Sequence, residues 1–154
     1  MAKLFLMVLL VPCFVFANGQ RVRPQILQGE AAADQFLDVV SEGKYEGTRG
    51  NQKREKCSVS VQKSKETFEV KVDRLKFSIP LEGFTTLRPY NNGLSLIDSE
   101  EVKSEQGTFF ATTEVRVVLL KTVAKVIVAK EKHALHEDQE SKKEEQTCTI
   151  VLPK

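Results

Sequence analysis

The chain has 154 residues, a formal net charge of +2 at pH 7 and no tryptophan. This length suits a single domain, and the near balance of charge gives no general attraction to nucleic acid or to an anionic membrane. Charged residues nevertheless make up 29% of the chain, so we expect a well-solvated surface.

The first 17 residues have the pattern of a secretory signal peptide. Lys3 precedes an apolar run over residues 4–16, and Val15 and Ala17 occupy the −3 and −1 positions of a cleavage site. The run is shorter than the roughly 20 apolar residues that span a bilayer. We therefore predict a mature protein that begins near Asn18, has no transmembrane span and is exported to a bacterial periplasm or to the extracellular space.

Two of the three cysteines remain after that cleavage. Cys57 and Cys148 form the only available pair, which predicts a structural disulfide in an oxidising compartment. Chain entropy gives such a long loop a stabilising effect of about 4–5 kcal/mol. Lipidation of Cys13 is the alternative fate of the leader, but Pro12 stands where a lipidation signal has a small residue.

The N-terminal part of the mature chain predicts one helix between two irregular segments. Residues 18–29 form an extended lead-in. Residues 30–41 carry the i, i+3, i+4, i+7 apolar stripe of an amphipathic helix, made by Ala33, Phe36, Leu37 and Val40. Residues 43–56 are a glycine-containing polar loop in which residues 44–48 are the one candidate strand.

From Cys57 onwards the apolar period changes to two, which predicts a β-rich core over residues 57–152. Strands are expected from Cys57, Phe68 and Leu75, with a bulge or tight bend at Asp73–Arg74. A turn over residues 90–93 follows. The later predicted strands are a weak one over 94–97, two long ones over 108–120 and 123–132, and a last one over 147–152.

These elements predict a mainly β fold of the α+β class, with residues 30–154 as one domain. We expect a curled antiparallel sheet, as a small barrel or sandwich, with the N-terminal helix packed on it. The hairpin over 115–129 is apolar on both faces, so both faces need cover. The cover is the helix, a second copy of the chain in a homodimer, or a bound ligand.

Few residues suggest chemistry. His133, His136 and Glu137 are close enough in sequence to form a weak metal site, although their spacing does not match a zinc-protease motif. No nucleophile motif occurs, and no cofactor is indicated. The basic run within 49–56 is typical of a solvated loop.

The sequence therefore favours an exported, non-enzymatic binding domain that recognises an unknown protein. Its recognition surface is expected on the polar segments 82–92, 99–107 and 133–146, since binding residues concentrate on loops. One alternative is a carrier of a small apolar ligand inside the barrel, lined by Phe68, Phe77, Phe109 and Val117. Another is a secreted hydrolase or weak metal binder that uses His133, His136 and acidic residues.

Overall fold

The computed structural model describes residues 23–50, 55–104, 107–134 and 141–153. Within these ranges ten antiparallel strands form one sheet, and the helix is α1, Gly29–Leu37. The predicted leader, residues 1–17, lies outside the described residues. The strands are β1 (Gln25–Gln28), β2 (Gly43–Thr48), β3 (Lys56–Lys63), β4 (Thr67–Val72), β5 (Leu75–Pro80), β6 (Phe84–Tyr90), β7 (Gly93–Ser104), β8 (Gly107–Leu120), β9 (Val123–Ala134) and β10 (Lys142–Val151).

The sheet is a meander whose last strand pairs with its second. The spatial order is β1-β6-β7-β8-β9-β10-β2-β3-β4-β5, so successive strands are neighbours except β1 with β2 and β5 with β6. Residues 81–83 connect β5 to β6, which are not paired. The pairing of β10 with β2 covers only two residue pairs, Thr149 with Thr48 and Ile150 with Gly47. The mainly β, antiparallel character is confirmed, but the sheet is not closed into a barrel.

The helix is attached to the bend between β5 and β6. The backbone N–H of Gly29 donates to the Gly83 carbonyl at 2.7 Å, and that of Glu30 donates to the Leu81 carbonyl at 3.0 Å. These bonds satisfy donors that a helix N-terminus leaves unpaired. A Cβ at Gly29 would overlap the Pro80 carbonyl oxygen, so this approach requires glycine.

The amphipathic helix predicted over 30–41 is not confirmed. Helix α1 has nine residues and ends at Leu37. Just after this end, the Val39 and Val40 N–H groups both donate to the Phe36 carbonyl. Its main contacts are with β1, β4, β5 and β6. The helix therefore does not supply the cover that the 115–129 hairpin was expected to need.

The core lies between the two halves of the curled sheet. Alternate residues of β3, β4 and β5 face the corresponding residues of β8 and β9, which follows from the period of two. Phe36 of α1 and Phe68 of β4 are fully buried, with ring centroids 5.3 Å apart. The other large side chains with under 2% exposure include Phe77, Ile79, Leu96, Ile150, Val59, Val61, Val70, Val72 and Val115.

The predicted disulfide between Cys57 and Cys148 is confirmed. Cys57 lies on β3 and Cys148 on β10, so the bridge passes over β2, the strand between them. Gly47 of β2 pairs with Cys57, and a Cβ on Gly47 would lie 2.9 Å from the Cys148 Sγ and would overlap the Thr149 carbonyl oxygen. Glycine at 47 therefore lets the bridge cross the strand, and the bridge reinforces the shortest pairing in the sheet.

Several polar segments expected to be loops are strands. Residues 84–90, within the predicted loop 82–92, form β6. Residues 99–104 extend β7, and residues 142–146 begin β10. The candidate strand over 44–48 is confirmed as β2, Gly43–Thr48. The predicted turns were more accurate than the predicted loops, because tight turns do occur at Asp73–Arg74 and at Asn91–Asn92. The second turn is one residue earlier than its Asn-Gly pair suggests, with Asn91 at φ 50°.

Removal of the disulfide should destabilise the protein strongly. For Cys57→Ser/Cys148→Ser we expect a loss of about 4 kcal/mol in the free energy of unfolding, because the bridge closes a loop of 91 residues. Urea unfolding of the oxidised protein and the double variant measures the difference, and reduced wild type serves as the control for the serine side chains. A loss below about 1 kcal/mol would mean that the β2–β10 junction holds without the bridge.

Gly47→Ala should destabilise the same junction without removing a sulfur. The added methyl group meets the Thr149 carbonyl and the Cys148 sulfur, and forced overpacking costs about 1–3 kcal/mol. Glu46→Ala, at the neighbouring exposed position, is the matched control and should change stability little. Equal thermal unfolding midpoints for the two variants would contradict the close approach.

Candidate interaction surface

Strands β7 to β10 continue beyond the strands that flank them. Pairing of β7 with β6 ends at Ile97, and β10 pairs with β2 only at Thr149 and Ile150. The extensions remain paired with one another in the order β7-β8-β9-β10. We call this four-stranded extension the arm, made of residues 98–103, 107–114, 130–133 and 142–147. At about 3.3 Å per residue, six residues carry the arm roughly 20 Å past its neighbours.

None of these described arm residues is buried, on either face of the sheet. The contrast with the adjoining part of the same strands is sharp, because Leu96, Val115 and Val128 are fully buried. Antiparallel sheets ordinarily pack one face on a core and leave the other in water. The arm has two solvated faces, so its strands are exposed to a partner on both sides.

Like charges are grouped on the arm face that continues the core-facing side. Asp98 and Glu100 project from β7 on this face. On β9 and β10, Lys132 stands directly opposite Lys142, and next to them Lys130 stands opposite Glu144, so this second group is mainly but not wholly basic. Uncharged residues of β8, among them Ala111 between Glu100 and Lys132, separate the two groups. Since like charges directly opposite each other are unfavourable, the face has an acidic and a basic pole that no ion pair among the described residues joins.

The acidic pole is electrostatically strained. Partial burial raises the pKa of the Asp98 carboxyl above its usual value, and the neighbouring charge of Glu100 raises it further. The backbone hydrogen bond at Ser99 opposes these effects without cancelling them. A cationic group placed beside Asp98 would relieve both causes, because an opposite charge favours the ionised carboxylate.

Aromatic side chains lie near the tip of the arm on opposite faces. Phe110 is 43% exposed and is paired with Glu101 on one side and His133 on the other. Phe109, the adjacent residue on β8, projects to the other face and is paired with Val102. Exposed aromatic residues surrounded by polar groups are common at the centres of protein interfaces.

An arginine cluster stabilises the root of the arm on its outer face. The Arg116 guanidinium lies 2.6 Å from the Glu145 carboxylate and 3.6 Å from that of Glu114, with the Tyr90 ring 5.4 Å away. The Ser95 hydroxyl donates to Glu114 at 2.5 Å. Burial alone would lower the pKa of Arg116, but the hydrogen bonds to Tyr90 and Glu145 raise it overall. The cluster thereby connects β6, β7, β8 and β10 where the buried core ends.

The predicted metal site is only partly within the described residues. His133 lies near the end of β9, with its Nε2 atom 3.5 Å from the Glu131 carboxylate. His136 and Glu137 lie outside the described residues, so their role stays a prediction. Within the part of the chain that is described, no three His, Cys, Asp or Glu side chains are grouped as metal ligands.

The other predicted sites are dispersed. Phe68, Phe77 and Val117 are fully buried in the core, whereas Phe109 belongs to the arm. In the basic run, Arg49 pairs with Asp73 at 2.7 Å. The predicted strands over 108–120 and 123–132 are confirmed as β8 and β9, so two segments of the arm were expected as strands. The β7 and β10 segments and the Arg116 cluster were missed, because segments that are polar on both faces lack the alternation by which strands are recognised.

A shallow depression of about 530 Å³ lies beside β2 and β3. Its most prominent charge, the Lys63 ammonium, is 2.6 Å from the Asp34 carboxylate. Because that cation is already paired, the depression is a weaker candidate than the arm. Its lining residues are Glu42, Gly43, Lys44, Val61, Gln62, Lys63 and Ser64.

Comparison with protein-family models, with curated proteins and with solved structures gives no match. Within the described ranges, no helix has the length and apolar character needed to cross a bilayer.

Asp98→Asn should stabilise the protein at neutral pH. Because the folded-state pKa of Asp98 is raised, the folded protein loses stability as the pH rises through that pKa, and asparagine removes this loss. The gain should be below about 1 kcal/mol, since the site is largely solvated, and it should disappear below the model-peptide pKa of 3.8. Thermal unfolding at pH 3 and pH 7 tests this.

Glu101→Gln is the matched control for that experiment. Glu101 lies on the opposite face of β7 and is 3.7 Å from Lys103, so its neutralisation should give no gain at pH 7. A lower stability of Asp98→Asn at pH 7 would mean that a favourable partner already compensates the Asp98 charge.

Proposed function

We propose that this protein is an exported, non-enzymatic interaction domain that binds a partner protein through the arm. The observation that carries the proposal is a paired, four-stranded extension without a buried residue on either face. Strands ordered by backbone pairing present their side chains in fixed positions, and such preorganisation lowers the entropy cost of binding.

The charge arrangement indicates the chemistry of the partner. Asp98 and Glu100 favour a basic surface, and Lys132 and Lys142 favour an acidic one. The two poles lie two strand spacings apart, or roughly 10 Å. A partner with both signs at that spacing would relieve the repulsion within each pole, and complementary potentials of this kind give specificity and fast association. Phe109, on the same face as these residues, supplies apolar contact area beside the charges.

The filled interior supports an interaction domain over a ligand carrier. The residues expected to line a cavity include Phe68 and Phe77, which are fully buried and belong to one continuous core cluster. The Phe36 ring packs against Phe68 at 5.3 Å. A carrier would need this space for its ligand, since ligand pockets usually measure about 300–1,000 Å³.

Export is supported by two independent features. The disulfide fits a non-cytoplasmic location, because thiols in the cytosol are kept reduced. The pattern of residues 1–17 is that of a signal peptide.

Photo-crosslinking from the arm tests the proposed function. A photoreactive phenylalanine analogue at Phe109, on the face of the two charged poles, should form one adduct of defined mass with a protein from the native extracytoplasmic fluid. The same analogue at Leu120, which is 48% exposed at the other end of β8, is the matched control and should form none. In Lys132→Glu/Lys142→Glu the adduct should be lost, because the basic pole becomes acidic.

Two results would contradict the proposal. One is an adduct that forms from Leu120 and not from Phe109. The other is an adduct at Phe109 whose yield is unchanged in the charge-reversed variant, provided that circular dichroism shows both variants folded.

A further inference from the structure

Strand β1 is an edge strand that carries no charged residue, and Pro24 stands immediately before it. It lies at one end of the sheet, next to β6 alone, and its residues Gln25-Ile26-Leu27-Gln28 carry no charge. Natural sheet edges are usually blocked by charged residues or proline. The opposite edge strand, β5, has both Lys76 and Pro80.

The hydrogen-bonding direction of β1 can be deduced from its end. The Gly29 N–H donates to Gly83 of the β6 side, and Gln28 pairs with Phe84. Antiparallel ladders alternate between residues that bond to the neighbour and residues that face away. Leu27 and Gln25 therefore bond to β6, and Ile26 directs its N–H and C=O to the open edge.

Apolar side chains accompany these free backbone groups. Ile26 is 75% exposed and Phe84 of β6 is 73% exposed. The two are diagonal neighbours on the same outward face, since Ile26 pairs with Thr86 and Phe84 with Gln28. Within the part of the chain that the structure describes, the edge thus has a backbone donor and a backbone acceptor that β6 does not pair, together with an apolar surface.

We propose that a second copy of the chain pairs with this edge, β1 against β1, about a two-fold axis at Ile26. In this register the two Ile26 residues are opposite each other and exchange two hydrogen bonds, and Gln25 of each copy is opposite Leu27 of the other. The outward face of β1 in one copy lies on the same side of the joined sheet as the outward face of β1 in the other copy. The stripe Phe84–Ile26 of one copy therefore continues into that of the second.

Charge complementarity favours a second copy over an unrelated strand. Arg23, which is exposed, precedes β1, and Glu30, whose side chain is 64% exposed, follows it. Antiparallel self-pairing brings Arg23 of each copy beside Gly29 and Glu30 of the other, so that two opposite-charge contacts form at once. An isologous interface requires such self-complementarity. The edge is distinct from both the arm and the 115–129 hairpin, whose predicted role in a homodimer no observation tests.

Sedimentation of the purified protein from low micromolar to submillimolar concentration tests the pairing. We expect a reversible dimer with a Kd of roughly 10–100 µM, because so short an interface is at the weak end of the range. Ile26→Lys should raise the Kd by about tenfold or more, since two ammonium groups then face each other. Leu120→Lys, another exposed apolar position on the sheet, is the matched control and should leave the Kd unchanged.

Two further measurements test whether the dimer forms through the β1 edge. Arg23→Glu and Glu30→Arg should each weaken the dimer, and the double reversal should restore it. Hydrogen exchange of the Ile26 amide should slow as the dimer forms. A protein that remains monomeric at all these concentrations overturns the proposal, as does a dimer that Leu120→Lys dissociates and Ile26→Lys does not.

Discussion

The junction between β10 and β2 is the point on which the architecture depends. Elsewhere in the meander, consecutive strands share long ladders, but this junction has two residue pairs. The Cys57–Cys148 bridge spans it by linking β10 to β3 across β2. Without this link, the half of the sheet that carries β2 to β5 would be joined to β10 by these two residue pairs and otherwise held by side-chain packing. The bridge therefore fixes the curvature that creates the core.

The arm follows from unequal strand lengths around that curved sheet. Strands β4 and β5 have six residues each, whereas β8 has 14 and β9 has 12. The shorter strands can cover only part of the longer ones. The uncovered residues must therefore be polar or be covered by a partner. The Arg116 cluster marks this boundary, because its ion pairs replace apolar packing where the cover ends.

An element could be predicted from the sequence where one of its faces is buried, because burial of one face requires apolar residues at regular positions. Strands β3, β4 and β5 have one buried face, so their alternation identified them. The disulfide was predicted on other grounds, because Cys57 and Cys148 are the two cysteines that remain after the predicted leader. Strand β6 and the arm segments of β7 and β10 have little or no buried face, and their polar residues suggested loops. The arm could not have been derived from pattern, because its strands are ordered by pairing with neighbours rather than by contact with the core.

The arm and the β1 edge differ in a way that separates their roles. The open edges of the arm are highly charged, with Lys142, Lys143, Glu144 and Glu145 in succession on β10, which opposes edge-to-edge pairing. The proposed partner would therefore contact the faces of the arm, where the side chains and their charges are presented. Strand β1 lacks such charges, and its recognition groups are backbone atoms, which any extended strand of suitable register can satisfy. For that reason the flanking Arg23 and Glu30 matter, since they are what can distinguish one strand from another at an otherwise neutral edge.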